Sequence, residues 1–162
     1  MARVLIVAGG GRGLHLTERL IAEGHAVRVT TRSEQRRHVI QAAGAECWIG
    51  TPDRLATLRQ ALENVTVTCW LLANATGTED QIADLHTSRL EFFLGQIIDS
   101  TVRGFIYEMP SSSLASDLGA RGSEIAHRLT SRNSIPLRVI GADLCEQEWL
   151  EQAHAAVTSV LG

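Results

Sequence analysis

The sequence has no lysine: all 15 basic side chains are arginines, set against 18 acidic ones for a formal net charge of -3. Any chemistry that rests on a lysine ammonium is closed to this chain. The slightly acidic balance gives no general attraction to nucleic acid or to an anionic membrane, and neither is expected as a partner. Cysteine is scarce. Cys47, Cys69 and Cys145 are odd in number, far apart and in no CxxC pair, so neither a zinc site nor a disulfide framework is expected. The six histidines are scattered without metal-ligand spacing, and no metal is expected. Long apolar runs are missing too. No stretch approaches the ~20 apolar residues of a membrane span. The N-terminal apolar run of about six residues ends in glycines and is too short for a signal peptide. A reducing cytoplasm is the expected location, which makes the Asn-x-Thr triplets at Asn64 and Asn74 chance matches. Internal repeats, linkers and low-complexity segments are also absent. A chain of 162 residues is expected to form a single domain over 1–162, burying roughly 70% of its unfolded surface.

What is present is alternation. Short apolar runs stand at 3–8, 26–31, 46–49, 65–73, 104–109 and 136–141, separated by amphipathic stretches. Leu14, Leu16, Leu20 and Ile21 line one side of a helix that Gly24 ends. A second helix runs from Ser33 to Gly44. A third starts at Thr51 as cap with Pro52 at its first position. Helical pattern then covers about 79–100, about 115–132, and the C-terminal stretch from about 145. The runs at 3–8 and 65–73 are apolar nearly throughout, as strands covered by helices on both faces must be. Six such units with short connections predict a doubly wound α/β fold: a parallel sheet in the order 3-2-1-4-5-6 within three α/β/α layers. The loosest stretch, 110–122, is rich in serine and glycine and reads as a mobile loop over the carboxyl edge of the sheet.

Between the first strand and the first helix lies AGGGRGLHL, Ala8 to Leu16. A glycine-rich turn of this kind sets backbone N–H groups and a helix N-terminus against a diphosphate. Glycine serves there because a Cβ would block the phosphate or the approach of helix to strand. Counting back from Gly24, Gly13 and Gly10 take the last two glycine positions of such a motif. The first falls on Ala8 or Val7, with Gly9 and Gly11 as extras. Arg12 stands inside the turn, where its guanidinium either reaches a phosphate or is solvated.

The second strand should end near an adenine ribose. A carboxylate there favours NAD and an arginine the 2′-phosphate of NADP. The chain reads VRVTTRSEQRR, placing Thr31, Arg32 and Ser33 at the strand end with Arg36 and Arg37 one turn on. Arginines at a helix start oppose the macrodipole. That conflict favours a ligand, and the expected cofactor is NADP(H) over NAD(H).

HLTERLIAEGHAVRVTTRS, continued by AAGAECWIGTPDRLATLRQALENVTVTCWLLANATG, resembles the atypical (extended-type) short-chain dehydrogenase/reductases and NmrA-like proteins, which bind NAD(P) on a Rossmann-like domain. The resemblance covers about residues 3–77, and the rest only by element order. It implies that Gly10, Gly13, Arg32, Leu72 and Ala73 line the dinucleotide, and it puts Thr51 where the family has an Asp near the adenine. The family's reductases carry a Ser at the end of the fifth strand and a Tyr-x-x-x-Lys pair on the next helix, in which Lys lowers the pKa of the Tyr that moves the proton. Here Met109 and Pro110 occupy the serine region, the sole tyrosine, Tyr107, lies within the strand, and lysine is absent. The chain also stops after the sixth unit, where extended members continue into a substrate pocket.

Glu108 is the remaining acid/base candidate, read otherwise as an edge-facing or arginine-paired carboxylate. Asp143 follows it, and Ser111 to Ser113 are candidate ligand contacts. No G-x-S-x-G turn suggests a serine nucleophile. The expectation is a dinucleotide-binding protein without the standard catalytic residues, acting as a sensor in the NmrA-like manner. The alternatives are a small NADPH-dependent oxidoreductase with an unconventional or partner-completed site, and a domain of this shape that no longer binds nucleotide. An open pocket would favour a homo-oligomer or a protein partner. Trp70 is expected in the core.

Overall fold

The computed structural model describes residues 2–111 and 117–162. Six strands form one parallel sheet: β1 (Arg3–Ala8), β2 (Ala26–Thr31), β3 (Glu46–Ile49), β4 (Val67–Leu71), β5 (Gly104–Met109) and β6 (Leu137–Gly141), in the order β3-β2-β1-β4-β5-β6. All five pairings are parallel. The expected doubly wound sheet is therefore the observed one. The helices are α1 (Gly10–Ala22), α2 (Arg37–Ala42), α3 (Ala56–Arg59), α4 (Glu79–Leu85), α5 (Ser88–Ile97), α6 (Leu118–Arg132) and α7 (Glu146–Leu161). No described helix is long and apolar enough to cross a membrane.

Period-two alternation sends each strand's side chains to two cores. On one face Leu5, Val7, Trp70, Phe105 and Tyr107 pack against residues of α3, α4, α5 and α6. On the other Val4, Ile6, Cys69 and Ile106 pack against Leu16 and Leu20 of α1, Ile40 of α2 and Trp149 of α7. β4 is buried at every position, Thr68 included, which explains why its run is apolar nearly throughout. Trp70 is fully buried, as expected.

The second helix, expected from Ser33 to Gly44, is a 3-10 turn at Glu34–Arg36 followed by α2, and three other boundaries differ from the sequence reading. The stretch opened by Thr51 does not begin a helix. Thr51 forms a β-bridge with Arg54, Thr57 Oγ1 donates to the carbonyls of Thr51 and Arg54, and the Thr51 N–H donates to Thr57 Oγ1. These side-chain bonds use the backbone groups a helix would need, so the α-turn starts only at Ala56. The helical region at 79–100 is two helices. Trp70 Nε1 donates to the Leu85 carbonyl at 3.0 Å, and His86 turns inward to share a 2.8 Å hydrogen bond with Tyr107 Oη. A buried indole N–H needs an acceptor, and the free carbonyls at the end of α4 supply one. Finally, within the stretch read as a mobile loop, residues 118–122 are the first turns of α6. Residues 112–116, including Ser112 and Ser113, lie outside the described residues.

Candidate functional site

Ligands of open parallel sheets lie beyond the carboxyl ends of the strands, where the strand order reverses. Here that point is between β1 and β4, and the glycine turn sits over it. A concavity of about 900 Å³ opens at the opposite edge, beside residues 62–64 and 99–101 that precede β4 and β5. It lies away from the switch point, and Arg59, Glu63 and Asp99 are among its lining residues. Two smaller clefts at the carboxyl edge, of about 390 and 220 Å³, share Ala8, Gly10, Leu72, Asn74 and Ala75 and so adjoin.

Ala8, Gly9 and Gly10 all have left-handed backbone, with φ of 67°, 89° and 57°. For Ala8 this conformation costs roughly 1 kcal/mol, since its Cβ crowds the following carbonyl. A Cβ on Gly9 would lie 2.9 Å from Gly13 Cα, so Gly9 is where the chain most closely approaches its own helix. Its N–H donates to the Leu71 carbonyl, joining the turn to β4. Gly10 and Gly11 meet nothing within 4 Å. They face the cleft at the start of α1, where the first N–H groups are free and the helix dipole is positive. Thus Gly9 shapes the turn, and Gly10 and Gly11 leave room for a ligand. Gly13 packs against the Ala8 carbonyl and lines neither cleft.

Arg12 lines the smaller cleft, but its guanidinium is engaged. It donates to the carbonyls of Ala142 and Leu144, at 3.0 and 2.9 Å, and lies over the Trp149 ring. Arg12 thus clamps the turn to the β6–α7 loop.

The larger cleft is lined by Thr31, Arg32 and Ser33 together with Gln35, Arg36, Gly50 and Pro52. Arg32 is largely exposed and bonds Asp53 Oδ2 at 2.7 Å. Arg37 instead pairs with Glu34 on the surface. Thr51 is not among the lining residues. Its hydroxyl accepts from the Asp53 N–H, and Gly50 and Pro52 border the cleft in its place. Leu72 lines both clefts, whereas Ala73 is buried and its N–H donates to Glu108. Sequence reasoning missed Asn74, Ala75 and Asp53. The small-residue run after β4 was the available signal for the first two.

Glu108 lines the smaller cleft beside the glycines, though only 3% exposed. The alternative to its acid/base reading, an edge-facing or arginine-paired carboxylate, does not describe its surroundings. Its Oε1 accepts from the Ala73 N–H at 3.2 Å and its Oε2 from Trp149 Nε1 at 2.6 Å. Burial pushes its pKa up, while those two bonds and the nearby Arg12 charge oppose the rise. On the other face of β5, Tyr107 is fully buried against His86. Burial raises its pKa, with the Glu108 charge adding to the effect, so the phenol stays protonated. It touches neither cleft. Among the described residues, no group of three His, Cys, Asp or Glu side chains could hold a metal.

No family model matches the chain, and no curated protein matches it in sequence. The fold does have counterparts. A UDP-glucuronic acid 4-epimerase from Bacillus cereus, solved in complex with NAD, aligns with a TM-score of 0.68 at 15% identity over 85% of this chain and 54% of its own. Vestitone reductase from alfalfa aligns at 0.64 and 12% identity over 86% of this chain and 56% of its own. BdcA from E. coli aligns at 0.69 and 12% identity, over 86% and 82%. The chain thus spans about half the length of the first two. At these identities the likeness establishes a shared Rossmann-like fold.

Proposed function

We propose that the protein is a dinucleotide-binding module with a preference for NADP(H), and that it lacks the proton-transfer pair of the reductases it resembles. One observation carries this reading: at the carboxyl edge the free N-terminus of α1, with Gly10 and Gly11 open to solvent, adjoins a cleft bordered by Arg32 and Arg36. The first part suits a diphosphate, and the second a 2′-phosphate on the adenosine side. The NAD held by the epimerase of the same fold is in keeping with it. Asp53 competes with a 2′-phosphate for Arg32, which limits the preference.

Calorimetric titration with NADPH and NADH tests the reading. The expected result is binding of both, NADPH the tighter. Arg32→Ala should weaken NADPH by about tenfold, the loss of one exposed charge-assisted contact, and leave NADH nearly unchanged. Asp53→Asn frees Arg32 and should tighten NADPH. No binding of either nucleotide would overturn the reading in favour of a domain that has lost its ligand. NADPH oxidation with any of a panel of aldehydes, ketones and quinones would instead support an oxidoreductase, for which Glu108 is the acid nearest the cleft.

Gly10→Ala provides a separate check. The added Cβ meets no protein atom, so the cost to folding is confined to the left-handed backbone, about 1 kcal/mol. The methyl would occupy the space a diphosphate needs. Nucleotide binding should fall far more than stability, read by titration beside urea unfolding.

A further inference from the structure

A diphosphate-binding turn is normally free of negative charge, yet here a carboxylate forms part of its floor. Glu108 and residues 9–12 border the same 220 Å³ space. Among the described residues, the polar and charged groups near that carboxyl come from several elements. From α1 comes Arg12, held by two carbonyls of the β6–α7 loop. That loop also carries Asp143. From α7 comes the uncharged Trp149, and from the segment after β4 the Ala73 N–H. Tyr107, next in β5, lies on the other face. Burial raises the Glu108 pKa, and the two hydrogen bonds donated to it oppose that rise by favouring the ionised form. Arg12 stands close enough for its charge to favour the carboxylate, but two of its N–H groups are held by the Ala142 and Leu144 carbonyls and it forms no ion pair with Glu108 among the described residues. A doubly charged diphosphate laid on Gly10 and Gly11 would then face a buried like charge, which low surrounding polarity strengthens.

We propose that Glu108 couples ligand binding at the glycine turn to proton uptake: the diphosphate group of a dinucleotide enters as the carboxylate takes a proton from solvent and becomes neutral. The ligand keeps its charge, and no bond in it breaks. The site therefore favours its ligand as the pH falls, and Glu108 sets the pH range over which it fills. This inference rests on the dinucleotide reading above and deepens it.

The test is calorimetric titration with NADPH between pH 6 and 8.5, in buffers of differing ionisation enthalpy, on the protein and on Glu108→Gln. The native protein should take up close to one proton per ligand, with affinity falling about tenfold per pH unit between the free and bound pKa values of the carboxyl. Glu108→Gln should bind more tightly at pH 8 and lose that proton. The 2′-phosphate titrates near pH 6 in both proteins, so the difference between their profiles isolates Glu108. Should Glu108→Gln fail to fold, Trp149→Phe carries the test. Losing one donor to the carboxylate makes protonation easier and should move the affinity profile to higher pH. Identical proton uptake in native and Gln proteins, or an unmoved profile in Trp149→Phe, overturns the coupling while leaving dinucleotide binding intact. No NADPH binding by any of the three at any pH overturns the dinucleotide reading itself, and the coupling with it.

Discussion

Replacing Gly122 with alanine is expected to destabilise the protein by about 3 kcal/mol, although alanine is the better helix former by about 1 kcal/mol. Gly122 lies within α6, where the helix crosses β5. A Cβ there would overlap Tyr107 Oη and come within 2.6 Å of Tyr107 Cζ and 3.0 Å of the His86 carbonyl. Tyr107 is fully buried and has no open side to move toward. Either α6 lifts from the sheet or the phenol leaves His86. Overpacking of this kind costs about 1–3 kcal/mol, and leaving the two buried partners unpaired adds about 1–3 kcal/mol for each. Urea unfolding at pH 7 measures the change, and a fall in Tm of roughly 6–12 °C should accompany it. Adding Tyr107→Phe removes the nearest atom and should recover part of the loss. A single variant within about 0.5 kcal/mol of the native protein would mean that α6 does not approach β5 this closely.

The same cluster should make the protein sensitive to acid. His86 is fully buried, its Nδ1 shares the bond with Tyr107, and its Nε2 makes no hydrogen bond of normal geometry, with the Leu72 backbone as polar neighbour. Burial disfavours the charged ring and lowers its pKa from 6.5 to about 4. The folded state therefore binds fewer protons than the unfolded one between those values. The stability that His86 contributes is fully present above pH 6.5 and is lost as the pH falls toward 4, a swing of about 3 kcal/mol. Glu108 works in the opposite sense, since its raised pKa favours the folded state at low pH. Comparing native protein with His86→Gln isolates the histidine. Unfolding free energies at pH 7 and pH 4.5 should differ markedly in the native protein and much less in the variant. Equal pH dependence in both would remove His86 as the cause.

Much of the architecture is legible in the sequence. The βα alternation, the glycine turn and the apolar 65–73 run are local patterns whose period matches one element at a time. They led to the observed sheet order because right-handed crossovers leave few alternatives. The element boundaries that moved did so for non-local reasons. Trp70 and Tyr107 needed partners and found them at the end of α4, which broke the region at 79–100 in two. Thr57 captured the backbone around Thr51. Of the residues singled out from the sequence, Thr31, Arg32, Ser33 and Leu72 border the clefts and Thr51 and Ala73 do not.

By itself the sequence determined what is set by composition and short-range pattern: the parallel doubly wound sheet and a glycine-rich turn at its first crossover. Only the tertiary structure decided which groups meet. Glu108 reaches Trp149 across 41 residues, Arg12 reaches Ala142 across 130, and Gly122 makes room for Tyr107. Hydrophobic periodicity records which face of an element is buried and nothing about what stands opposite it. Partner choice follows from how helices seat on the sheet, and that packing is set by the whole chain at once.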